Sequence, residues 1–369
     1  MKKVFCVFLA LFIALSFAAF AQETPSLQIY DPALAQQALL LSESTYSPRL
    51  QKTIMAYLGY ASVGSWNYER ARDDLRHTAA YSIYSRAAEG GRTEVLIVIR
   101  GTANETEWAL NLDLMPSGDP NLPYAENFYL AAKDILDQQA AFIDGVEKPF
   151  FLVTGHSRGA AIANVLGALL TDRFGEENVV AYTFATPRTV RGEYKQYNNI
   201  VNFVNPADIV TFLPLPQWGY ERYGVDVVLP VDDESLYAAA REAYDARDDK
   251  TGEFSGSPDD VASTAAAAEA LYRLLPDYAS AATLRHAFAH AGAAEADEAG
   301  MTAGEFLTLL FTGALSRSEQ RQLLYASAEN DFAPLLQILA ASGSSTALIG
   351  QAHMPATYGA WISAMQTKE

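Results

Sequence analysis

Residues 150–164 read FFLVTGHSRGAAIAN and constrain the fold more than any other stretch. Phe151, Leu152, Val153 and Thr154 suit a buried strand, and they lead directly into Gly155-His156-Ser157-Arg158-Gly159. Ala160, Ala161, Ile162, Ala163 and Asn164 follow, mostly small and compatible with a helix. A G-x-S-x-G pentapeptide alone is a weak signal. Between a strand and a helix it describes a sharp, strained turn that exposes a serine hydroxyl. Gly155 and Gly159 leave room for the helix to cross close to the strand. The backbone N–H of Arg158 would stand at the helix N-terminus, where the dipole favours developing negative charge. Ser157 is therefore the candidate nucleophile.

The chain starts with Lys2 and Lys3, an apolar run from Val4 to Phe20, and Ala19-Phe20-Ala21 in A-x-A form. This is the layout of a secretory signal peptide over residues 1–21, so export to the periplasm or the medium is expected. The run is somewhat short for a bilayer-spanning anchor, and the cleavage pattern favours removal over stable anchoring. The single cysteine, Cys6, lies inside that run. The mature chain would then hold no disulfide and depend on its core, which a chain of this length can bury. Net charge is −18, and −20 once the two lysines leave (−18 − 2). Such acidity repels phosphate backbones, so nucleic acid is not an expected partner. No P-loop, G-x-G-x-x-G after a strand, H-E-x-x-H or C-x-x-C is present, and neither cofactor nor metal is expected.

Residues 28–60 read as helical, most periodically over 38–46. Thr78–Ser85 and Glu94–Ile99 read as strands joined by the turn Glu89-Gly90-Gly91-Arg92. The second strand is apolar throughout, as befits a central strand buried on both faces. Helices are expected over 125–143, then the strand before Ser157, then strands at Val179–Phe184 and Ile200–Val204. Strands alternating with helices imply an α/β fold with a largely parallel sheet. Ligands of such sheets bind off the carboxyl ends of the strands. Thr102, Ser157 and Asp208 all follow such ends.

The character changes near Val231. Residues 245–260 are polar and charged and read as a loop, and alanine-rich helical segments follow over roughly 261–294 and 302–341. Thr302-x-x-Glu305 and Ser316-x-x-Glu319 have capping-box spacing. The expected organisation is a catalytic domain over 22–231 and 341–369, interrupted by a helical insertion over 232–340 that could form a cap. Phe306, Leu307, Leu310 and Phe311 suit an ordinary core more readily than a lipid-binding face.

Five segments in order resemble the class 3 lipases, a family with the α/β-hydrolase fold. VIRGTANETEWALNLDL is similar to the family's strand, R-G-[ST] and tryptophan-containing segment. GHSRGAAIA resembles its elbow, with Arg158 and Ala160 where Leu and Gly are usual. YTFATPR resembles T-F-G-x-P-R, with Ala185 for Gly. VNPADIVTFLPLPQWGYERYG resembles the strand end that carries the aspartate. ENFYLAA, at 126–132, stands where H-x-G-F is usual and lacks that histidine and glycine. The resemblance covers about residues 30–230 and a short piece near the end.

It implies a serine hydrolase acting on lipid or other carboxylic esters, in solution or at a lipid–water interface. Ser157 would form an acyl-enzyme, Asp208 would orient the base, and Thr102 with the Arg158 N–H would form the oxyanion hole. Asp208 could instead serve only an Asx-type turn after Asn205-Pro206. Arg100 is expected to stabilise its loop through a salt bridge. Trp108 with Leu110–Met115 could be a short lid or a buried helix. In this fold the base follows the acid in the chain, which leaves His286, His290 and His353. His286 and His290 share a face of an alanine-rich helix. His353 lies between Gly350 and Pro355, in loop chemistry, with Tyr358 soon after, and is the favoured base. His156 is read as structural, pointing away from the nucleophile. A phospholipase or short-chain carboxylesterase is the alternative within enzymes. A non-catalytic binding protein on the same scaffold is the alternative outside them.

Overall fold

Alternation along two apolar strands decides the layers. Val95, Ile97 and Ile99 face one side of the sheet and Leu96 and Val98 the other, and all five are buried. A sheet apolar on both faces must be covered on both. A computed structural model describes residues 31–69, 77–101, 122–248, 250, 252–274 and 350–366 of the chain. The signal segment, Thr102, Trp108 with Leu110–Met115, His286, His290 and both capping boxes lie outside the described residues.

Two helices come first, α1 (Pro32–Ser44) and α2 (Pro48–Tyr57). Asp31 caps α1, its Oδ1 accepting from the N–H groups of Ala33 and Leu34, with Pro32 at the first helical position. Strand β1 (Ala61–Trp66) then forms the edge, followed by β2 (Tyr81–Ala88) and β3 (Arg92–Ile99). Helices α3 (Glu126–Gln138) and α4 (Ala140–Gly145) lead to β4 (Pro149–His156) and α5 (Arg158–Phe174). Next come β5 (Val179–Phe184), the short β6 (Val190–Arg191), β7 (Ile200–Val204), β8 (Tyr220–Glu221) and β9 (Val225–Val228). Helices α6 (Glu234–Asp245), α7 (Pro258–Leu274) and α8 (Pro355–Gln366) complete the described elements.

The main sheet runs β1-β2-β3-β4-β5-β7-β9. β1, β2 and β3 pair antiparallel, and from β3 to β9 every pairing is parallel. This is the α/β-hydrolase arrangement that the resemblance implies. The β2–β3 hairpin turns over Glu89–Gly91, within the expected turn, and β5 and β7 match their expected bounds. β1 was not anticipated. Its sequence, ASVGSW, is short, half exposed and interrupted by Gly64, so it lacks the apolar signature of the inner strands.

One face packs on α3 and α5 through Phe128, Ile135, Ile162 and Leu166. The other packs on α1, α6 and α8 around Tyr182, Phe203, Tyr244 and Trp361, with α2 at the neighbouring Leu96, Val98 and Leu152. α6 belongs to the stretch grouped by sequence with the helical insertion, yet Ala240 and Tyr244 are buried in this core beside Trp361. α7 stands elsewhere. Its Thr264 hydroxyl donates to the Ala207 carbonyl at 2.7 Å, and Ala268 packs in the same core as Ile209 and Val210. Thus α7 rests on the loop that follows β7, at the carboxyl end of the sheet.

Candidate active site

Ser157 joins β4 to α5 with φ 60° and ψ −129°, a conformation that a residue with a side chain adopts only under strain. Close packing over-determines it. A Cβ at Gly155 would lie 2.5 Å from the Gly159 carbonyl, and one at Gly159 would lie 2.8 Å from the Gly101 nitrogen. A Cβ at Gly101 would meet the Ser157 Cβ at 3.3 Å. The end of β3, the turn and the start of α5 therefore touch backbone to backbone. The Ser157 N–H donates to the Phe184 carbonyl at 3.0 Å, which fixes the turn to the end of β5.

Asp208 and His353 reach the same point from other elements. Asp208 follows β7 and is completely buried. Its Oδ1 accepts the Val210 N–H at 3.0 Å, which is the Asx-type turn considered from sequence. Its Oδ2 is left for other partners: His353 Nδ1 at 2.8 Å and the Tyr358 hydroxyl, which donates at 2.8 Å. Asp208 thus satisfies both readings, one oxygen each. His353 lies in the turn before α8, with Pro355 opening that helix. Its Nε2 is 2.8 Å from Ser157 Oγ. A carboxylate only accepts, so Nδ1 carries the ring proton, and Nε2 is free to accept from the serine hydroxyl. Ser157 and His353 are 4% and 3% exposed, so all three groups are shielded from water yet touch in series.

Further contacts hold the Asp208 and His353 loops together. Asn205 accepts the Ala207 N–H on its Oδ1 at 3.0 Å and donates through Nδ2 to the Ala352 carbonyl at 3.1 Å. The Asn205 N–H donates to the Tyr358 oxygen at 3.2 Å. Burial, with Asp208 beside it, pushes the Tyr358 pKa well above its ordinary value, so its hydroxyl remains a donor. Arg222 is buried and donates to the Thr211 carbonyl at 2.7 Å and the Thr186 carbonyl at 3.0 Å, while pairing with Asp226 at 2.7 Å. The Thr211 hydroxyl in turn donates to the Asp208 carbonyl at 2.8 Å. A cation from the segment after β8 therefore braces the Asp208 loop.

The other sequence candidates divide. Arg158 opens α5, so its N–H stands at the helix N-terminus. Its side chain donates to the Thr78 carbonyl at 2.8 Å. The Arg100 guanidinium lies over the Tyr68 ring, 5.1 Å from its centroid. His77 is exposed. His156 turns toward His353, with the two ring centroids 4.9 Å apart. Ala185 has φ 54° and is buried, which explains why glycine is usual at this place in the resembling family. Asn205, Arg222 and Tyr46, which meets His156, were missed. Their partners lie far away in the chain, and nothing in their local sequence marks them.

A family profile described as lipase (class 3) matches residues 96–218. Among solved structures the chain is similar to a triacylglycerol lipase described as having a serine protease triad at its catalytic centre. Identity is 20% over 57% of this chain and 83% of that one, with a TM-score of 0.41. The triacylglyceride lipase of Rhizomucor miehei matches at 20% identity over 56% and 82%, with a TM-score of 0.40. Lipase II from Rhizopus niveus matches at 16% over 54% and 82%, with a TM-score of 0.42. Fold and site together define a serine carboxylic ester hydrolase of the α/β-hydrolase class. The class 3 lipase profile matches the stretch from within β3 to Trp218.

Proposed function

We propose that the chain is an exported enzyme that cleaves carboxylic esters of lipids through an acyl-enzyme on Ser157. The observation that carries this is the unbroken series Ser157–His353–Asp208, with both links at 2.8 Å. As Ser157 Oγ bonds to the ester carbon, its proton passes to His353 Nε2. Asp208 holds the ring and stabilises the imidazolium. Collapse of the tetrahedral intermediate breaks the carbon–oxygen bond to the alcohol, which leaves with that proton. Water then attacks the acyl-enzyme by the same route, releasing the acid and restoring Ser157. The Arg158 N–H, supported by the α5 dipole, and Thr102 would receive the developing oxyanion.

Residues 258–274 make the described part of a helical cap, because α7 rests on the loop that carries Asp208. The signal-peptide layout of residues 1–21 supports export. Among the described residues, no helix is long and apolar enough to cross a membrane. A panel of esters graded in acyl length, with phospholipids added, tests the reading on mature protein beside Ser157→Ala. Turnover confined to wild type supports it, and the preferred ester separates lipase from phospholipase or short-chain esterase. A folded wild type inert on every ester would favour the non-catalytic alternative.

A further inference from the structure

Behind the triad runs a second line of hydrogen bonds. His156 Nε2 lies 2.7 Å from the main-chain carbonyl oxygen of His353. A carbonyl only accepts, so Nε2 carries the proton of the His156 ring and Nδ1 is an acceptor. Tyr46 Oη is 3.2 Å from that Nδ1, so the tyrosine hydroxyl donates. The tautomer of His156 is thereby fixed from both sides. Tyr46 comes from the turn between α1 and α2, and its hydroxyl also lies against Gly101 at the end of β3.

His353 sits in a turn before α8 rather than inside an element, so its main chain needs external support. Two side chains supply it. Asn205 donates to the Ala352 carbonyl at 3.1 Å, and His156 donates to the next one. Asn205 belongs to the strand end that carries Asp208, and His156 directly precedes Ser157. Each strand end that presents a partner to the base thus also grips the main chain of the base. Displacement of either strand end carries the His353 backbone with it, which keeps both 2.8 Å contacts in register.

We propose that His156, oriented by Tyr46, is a positioning residue for His353, an inference that rests on His353 being the general base. Chemistry favours a neutral ring here. His353 becomes a cation when it takes the serine proton, and a second cation one ring away would oppose that step. Among the described residues, the titratable groups facing His156 are Tyr46, His353 and Tyr358, whose ring centroid lies 6.4 Å away. Burial, reinforced by His353, pushes the His156 pKa down to about 3. It therefore remains uncharged while His353 cycles.

The test compares His156→Leu with His156→Gln, whose amide can still donate to the His353 carbonyl. Three quantities are read: the rate at which a 4-nitrophenyl phosphonate labels Ser157, kcat and KM on a short nitrophenyl ester, and the melting temperature. Loss of one positioning hydrogen bond should slow labelling and kcat of His156→Leu about tenfold or more, with KM within about twofold. His156→Gln should recover most of the rate. A folded His156→Leu labelling at the wild-type rate, or a folded His156→Gln no faster than His156→Leu, overturns the proposal. If the leucine variant does not fold, Tyr46→Phe replaces it. That variant should label more slowly than wild type, and an unchanged rate overturns the proposal. His353→Ala is the control for the underlying reading. If it is slow while His156→Leu is fast, only the positioning role fails; if it labels like wild type, the base assignment itself fails.

Discussion

At Asp208 the two carboxylate oxygens play separate roles, Oδ1 accepting from the Val210 N–H while Oδ2 meets His353 and Tyr358. Asp208→Asn should leave the turn intact, because the amide oxygen can still accept from Val210. The remaining amide group cannot hold His353 in the tautomer that accepts from serine. We expect kcat to fall by roughly three to four orders of magnitude, with little change in KM. A fall of less than about tenfold in steady-state kinetics would contradict this role. Tyr358→Phe removes one donor from a fully buried carboxylate. Stability should drop by about 1–3 kcal/mol in denaturant titration, with a smaller effect on kcat than Asp208→Asn. Much at this scale was legible in sequence. Ser157 announced itself through its flanking strand and helix, and His353 through Gly350 and Pro355. The bonds of Tyr46, Asn205 and Arg222 were not legible, because each joins segments whose proximity only the completed sheet creates.

Among the elements, the junction of β3, β4 and α5 depends on backbone contact. Gly159→Ala would drive a methyl group against the Ile99 carbonyl and the Gly101 nitrogen, both main-chain atoms that cannot rotate away. Overpacking of this kind should cost about 1–3 kcal/mol and displace the turn that holds Ser157. Urea unfolding measures the first effect and phosphonate labelling the second. Unchanged stability and labelling would mean that the elbow is looser than its packing implies. The largely parallel core followed from apolar runs such as EVLIVI alternating with helices, whereas the strand order did not. β1 escaped notice because an edge strand needs apolar residues on only one face, and Gly64 breaks even that alternation. α6 shows a different gap. Its alanine-rich sequence resembles the helices after it, and burial of Ala240 and Tyr244 in the core with Trp361 ties it to the sheet. For α7, removal of its anchor by Thr264→Val should alter KM for long-chain esters more than for short ones if the helix shapes acyl access. Equal KM changes across chain lengths would remove that role.

For the whole molecule, the buried neutral His156 links folding to pH. Its pKa is about 3 when folded and close to 6.5 when unfolded. Between these values the unfolded chain binds a proton that the folded chain does not, so stability rises with pH. The contribution is complete above about pH 6.5 and is lost as pH falls through that window. Relative to a folded His156→Leu, wild type should therefore lose about 1.4 kcal/mol per pH unit as pH falls from about 6 toward about 3, and the difference should be level above about pH 7. Parallel stability curves for the two proteins would contradict a neutral buried ring. The two layers on the sheet, the acid loop braced by Arg222 and the turn before α8 all converge on one hydroxyl. The most direct measurement is therefore the intact mass of the protein after reaction with a phosphonate ester, followed by peptide mapping. One adduct per chain is expected, located on Ser157, absent from Ser157→Ala and appearing in step with loss of esterase activity. Ester hydrolysis that persists in Ser157→Ala, or in a wild type fully modified at Ser157, would contradict it.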